Sequence, residues 1–147
     1  MRDRCGAGKT RPTSMKQEKE LDRLKDELAD LAIQIAGSFR IKLDYTEKSI
    51  RKVEKVLSKI HKEYRKTKNE DGLQGIAAEF AFYIIKTIEK NHESGKLERD
   101  HPDFGENSFP YYWKDTTLLP YGWCLKRIFE GKQDNVWSKY KTLVMKK

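Results

Sequence analysis

The groups able to move a proton, hold a metal or attack an electrophile are His61, His92, His101, Cys5, Cys124 and Glu79. Glu79 stands out because it is a carboxylate in the middle of an apolar run. None of the histidines forms an H-x-x-H or H-E-x-x-H pair. Asp100, His101 and Asp103 lie near His92 and Glu98, but without the spacing with which fixed elements converge on a metal. That stretch reads as a solvated polar loop, and no metal or cofactor is expected. Neither cysteine has a histidine close by in sequence, and Cys124, between Trp123 and Leu125, reads as a small buried hydrophobe. Cys5-Gly-Ala-Gly-Lys-Thr10 matches the end of the phosphate-binding loop G-x-x-x-x-G-K-[ST]. Asp3 occupies the place of its first glycine, and Arg11-Pro12-Thr13 stands where a helix should open. Residues 1–13 therefore read as a disordered basic tail ahead of a single domain over 14–147.

Glu79 sits in Gly72–Lys90, where Leu73, Ile76, Ala77, Phe80, Ala81, Ile84 and Ile88 recur at i, i+3 and i+4. Phe82, Tyr83 and Ile85 widen the apolar face to about half the circumference, as in a helix with partners on several sides. A carboxylate there is costly unless paired or hydrogen-bonded. Lys126 or Arg127 can pair with it, or the Trp113 or Trp123 indole can donate to it. Glu79 then acts as a buried anchor, or as a general acid/base with a raised pKa. Two other placements are open: on the exposed arc, or facing a shallow pocket lined by Tyr83, Tyr112 and Trp113. The candidate binding residues are Glu79, Tyr83, Tyr112, Trp113, Trp123 and Arg127, and Glu79 is the one candidate for catalysis.

Other elements must position this helix. Ser14 to about Gly37 reads as a first helix, with Ser14 and Gln17 as a capping box. Its stripe of Leu21, Leu24, Leu28, Leu31 and Ile35 predicts docking on the core, or a weak homodimer through residues 14–36. Phe39, Ile41 and Leu43 alternate as in a short strand. Thr46 to about Lys66 reads as a second helix, capped by Asp44 or Thr46. Its apolar stripe is Ile50, Val53, Val56, Leu57, Ile60 and Tyr64, and most of its lysines fall on the opposite arc. That arc reads as a basic face for phosphates or as a solvated exterior offset by Glu47, Glu54 and Glu63. Beyond Gly95, short strands are predicted near 97–99, 109–113 and 117–119, with a turn at Lys114-Asp115. A helix over Tyr121–Phe129 follows Pro120 and ends at Gly131, and Asp134 caps a last helix from Asn135 to about Met145. The fold class is α+β: three long helices, a small antiparallel sheet of two to three short strands and two short C-terminal helices.

Gly75-Ile-Ala-Ala-Glu79, the run Pro120-Tyr-Gly-Trp123 with Lys126-Arg127, Gly131 and Asp134, and Tyr140 resemble a pattern of small uncharacterised bacterial α+β domains. The resemblance covers roughly residues 43–144. It implies an α+β fold and supplies no established activity. Some proteins of this look lie beside toxin genes as immunity factors, so an immunity or accessory role is what the resemblance implies.

With 147 residues and a net charge of +8, one core and an anionic partner are both expected. The charge is uneven: residues 41–71 carry ten basic side chains against six acidic, and 72–100 four against five. No apolar run approaches the ~20 residues of a membrane span, and the N-terminus has no secretory pattern. A cytoplasmic protein without membrane contact is expected. The leading functional expectation is a non-enzymatic module that binds another protein, an acidic one given the charge. Nucleic-acid binding through the basic helix 46–66 is the alternative, and an enzyme using Glu79 a third. The aromatics from Phe104 to Trp123 have only Lys114 among them. They read as the core of the sheet half and the edge of a protein-binding face, not as a platform for stacked bases.

Overall fold

A computed structural model of the protein describes residues 10–146. The phosphate-loop-like segment Cys5–Lys9 lies outside the described residues. Helix α1 runs Thr10–Ser38, α2 Ser49–Thr67 and α3 Leu73–Asn91. Strands β1 (Lys96–Leu97), β2 (Tyr111–Trp113) and β3 (Thr116–Leu118) form one antiparallel sheet in the order β1-β2-β3. Helices α4 (Pro120–Phe129) and α5 (Val136–Tyr140) close the chain, with a 3-10 turn at Lys132–Asp134 between them and a π-helical turn at Lys141–Met145. The architecture is α+β.

Helix α3 is the spine. Phe80 to Ile85 are all buried, because α1 packs on one side of α3 and α4 on another. Helix α4 in turn packs on α2, which carries α5. Helix α1 reaches α3 through the fully buried Ala29, Ala32 and Ala36, small residues that let two backbones approach. The leucine stripe docks along one edge only. Leu21 is buried, Leu24, Leu28 and Ile35 are half-buried, and Leu31 is 40% exposed.

Several boundaries differ from the sequence expectation. Helix α1 begins at Thr10, so residues 10–13 belong to it and Ser14 lies inside it, not at its cap. Proline is tolerated in a first turn because its missing N–H has no intrahelical partner there. Residues 39–43 form no strand: Phe39 is exposed, Leu43 is buried, and the Arg40 φ of 62° breaks any extended run. The start of α2 shifts to Ser49, because Asp44 Oδ1 accepts from the backbone N and hydroxyl of Thr46 and so caps the turn ahead of the helix. The last helix changes to a π turn after Tyr140.

The sheet is pinned to the end of α3. The Trp113 indole donates to the Glu93 carbonyl at 2.9 Å, and the Gly95 amide donates to the Tyr111 hydroxyl at 2.6 Å. Gly95 must lack a side chain, since a Cβ there would strike the Tyr112 carbonyl oxygen and the Tyr111 ring. Gly95→Ala is expected to cost about 1–3 kcal/mol in a urea titration through overpacking. Gly75→Ala, on an exposed helix position with open space, should stabilise by roughly 0.5–1 kcal/mol.

Candidate functional site

A carboxylate drawn out of water needs donors to replace it, and three glutamates here are answered in that way. Glu47, just ahead of α2, accepts on Oε2 from the Tyr140 hydroxyl at 2.7 Å and from His92 Nε2 at 2.6 Å. His92 caps the end of α3 and sits edge-on to Trp113. One carboxylate thus ties together α2, α3, α5 and the sheet. Burial, and then the neighbouring Glu47, push the Tyr140 hydroxyl far above its ordinary pKa, so it stays a donor.

Glu54, seven residues on, faces the same flank. Its Oε2 accepts from Arg127 Nε at 2.7 Å, and its Oε1 from the Val136 amide at 2.9 Å. Arg127 is 3% exposed and the Glu54 side chain 13%, so this pair is a largely enclosed strut between α2, α4 and α5. The third glutamate, Glu89 of α3, takes the buried Lys25 of α1 on Oε1 at 2.7 Å and the Tyr111 hydroxyl on Oε2 at 3.4 Å. Burial raises the Tyr111 hydroxyl to about 12.

Hydroxyls complete the frame. Ser49 donates to the Thr46 carbonyl, which leaves the Tyr83 hydroxyl to donate to Ser49 Oγ at 2.6 Å while accepting from the Tyr45 amide at 2.8 Å. The Tyr45 ring stacks on Tyr83 at 4.7 Å. His61 Nδ1 lies 2.7 Å from the Ile128 carbonyl, so it carries the proton and donates.

The six expected binding residues are dispersed. Tyr83 turns to the start of α2, Arg127 to Glu54, and Trp113 to the Glu93 carbonyl. Tyr112 alternates to the other face of β2 and stacks near His101, while Trp123 is buried on α4. Glu79 is half-buried, and its Oε1 is buried with no hydrogen-bond partner among the described residues. Neither the Arg127 partnership nor the Trp113 one forms: Arg127 turns its Nε to Glu54, its Nη1 staying buried without a partner among the described residues, and the Trp113 indole donates to the Glu93 carbonyl. Burial raises the Glu79 carboxyl above its ordinary 4.5. Phe109, Tyr111 and Trp113 form the core of the sheet half, and Phe104, 60% exposed, lies outside it.

Sequence reasoning passed over Glu47, Glu54, Glu89, Lys25 and Tyr140. One signal was present for the first two: at 3.6 residues per turn they share one flank of the α2 apolar stripe, between it and the basic arc. Two hollows remain. One of about 550 Å³ lies between Glu18, Glu20 and Leu21 of α1 and residues 96–100. Another, of about 210 Å³, is bounded by Phe104, Leu119, Tyr121 and Leu125. Neither lining includes a histidine or cysteine. The described residues hold no group of three or more His, Cys, Asp or Glu placed to bind a metal, and no helix long and apolar enough to cross a membrane. Burial pushes the Cys124 thiol far up, away from thiolate chemistry. Compared with protein families, with curated proteins and with solved structures, the chain matches none.

Two measurements test this geometry. Glu54→Ala should cost about 3–5 kcal/mol in urea unfolding by stranding buried Arg127, whereas Glu54→Leu combined with Arg127→Met should recover most of that loss. Strictly additive losses would show that the two residues do not act as a pair. For Glu79 the folded-state pKa lies above the unfolded one, so ionisation opposes folding above that pKa and the penalty vanishes as pH falls. Glu79→Gln should then raise Tm at pH 7 by roughly 1–3 °C, and the gain should disappear below pH 4.5, the ordinary carboxyl value.

Proposed function

We propose that this protein is a non-catalytic binding module whose working surface is the outer arc of α2, and that the partner is acidic. Enclosed polar groups here serve as struts, and among the described residues the buried Glu79 Oε1 has no hydrogen-bond partner with which to form an acid–base pair. The carrying observation is the rotation of α2. Glu47 and Glu54 lie on its inner flank, occupied by His92, Tyr140, Arg127 and the Val136 amide. They therefore do not neutralise the lysines outside. Lys48, Arg51, Lys52, Lys55, Lys59, Lys62 and Lys66 are all exposed. Among the described residues no ion pair holds any of them. An immunity or accessory role of the kind the resemblance implies takes this form only against an acidic target, since like charges repel a basic one.

A variant carrying Lys52→Glu, Lys55→Glu, Lys59→Glu and Lys62→Glu tests the surface. Its circular dichroism and Tm should stay close to native, because exposed substitutions each shift stability by about 0.5 kcal/mol or less. Its affinity for an acidic polymer, read by fluorescence anisotropy at about 150 mM salt, should fall at least tenfold. Undiminished binding moves the contact away from α2, with exposed Phe104 and the groove behind it next in line.

A further inference from the structure

The chemistry of the α2 arc narrows the acidic partner to one class. We infer that the arc binds the phosphate backbone of double-stranded DNA without reading its sequence; this rests on the binding-module reading above. At 3.6 residues per turn, Lys48, Arg51, Lys52, Lys55, Lys59, Lys62 and Lys66 fall within roughly 100° of the helix circumference. From Lys48 to Lys66 the ridge is about 27 Å long at 1.5 Å per residue. Lys52 Nζ bonds the Lys42 carbonyl at 3.2 Å, which brings the exposed Lys42 to the same side. The opposing charges are Asp44, close enough to Lys52 to feel its field, and Glu63 at the margin of the arc.

Composition separates a phosphate surface from a protein-binding one. Protein interfaces are poor in lysine and depend on buried aromatic or arginine anchors in their centres. This arc offers no apolar or aromatic side chain, so a protein partner would find charge and nothing to bury. Lysine, a hydrated point charge on a flexible stem, suits phosphate contact without fixed geometry. Single strands are held by rings on which bases stack, and the arc has none. Duplex DNA presents a charge about every 1.7 Å along its axis, so a ridge of this length meets roughly sixteen of them. The B-form major groove, about 12 Å wide, admits a helix of 10–12 Å diameter, whereas the A-form groove of duplex RNA is narrow and deep. The arc carries no Asn or Gln to read adenine and a single Arg51, so binding is independent of sequence.

The test is anisotropy with a labelled DNA duplex of roughly twenty base pairs, a span that covers the ridge twice over. A duplex RNA of equal length, the single strand and a poly-glutamate are the other probes. The DNA duplex should bind with Kd of about 1–100 μM near 150 mM salt, and scrambling its sequence should change Kd by less than about threefold. The slope of log K against log salt should approach about −6 if all seven cations engage, and Lys55→Gln with Lys59→Gln should reduce it by about 2. Lys96→Gln, on β1 and off the ridge, should leave the slope unchanged. Tighter binding of poly-glutamate than of DNA would overturn the inference and leave the binding-module reading standing. Equal binding of duplex RNA would overturn DNA as the source of the phosphates, and equal binding of the single strand would overturn the duplex. If no probe binds even at low salt, the inference and the α2 reading fail together.

Discussion

The rotation of α2 about its own axis is the constraint on which the remaining surface depends. An amphipathic helix can tilt around its axis by tens of degrees with little change in apolar burial. Glu47 and Glu54 remove that freedom. Each is held by two donors from other elements, His92 and Tyr140 for one, Arg127 and the Val136 amide for the other. A small rotation would strand a carboxylate in a dry place, at a cost of several kcal/mol. The lysines are outside because the glutamates are inside.

The same device recurs on α3. Lys25 and Tyr111 meet on Glu89, so α1 and β2 are both referred to one carboxylate on α3. Helix α3 supplies apolar mass, and glutamates set the angles at which other elements rest on it. Tyr83, hydrogen-bonded from both sides, does this with a hydroxyl. Directional bonds in an otherwise apolar interior give specificity more than net stability.

How much of this could be read beforehand follows from the range of each interaction. Helix order, the antiparallel sheet and the Lys114–Asp115 turn come from local periodicity and turn chemistry, so they were legible. Residues 39–43 were misread, since alternation over five residues cannot reveal a left-handed Arg40. Glu79 drew attention because burial could be inferred from its neighbours, while its lack of a partner could not. Glu47 and Glu54 look like ordinary surface acids in a charged helix. Their donors lie 45 to 93 residues away, beyond any local pattern. The basic face was visible as a pattern, and its lack of neutralising charge was not.

The bond between Glu47 and Tyr140 has a kinetic meaning as well. It joins residues 93 apart, and the Glu54–Val136 bond spans 82. Closing loops of that size spends chain entropy before any contact returns it. The pairing of α1, α3 and the sheet needs shorter closures, such as the 64 residues from Lys25 to Glu89. Until α5 docks, Glu47 has His92 and Glu54 has Arg127, and each glutamate lacks its second donor. The rotation of α2, and with it the placing of the lysine ridge, is fully fixed only once Tyr140 and Val136 have joined.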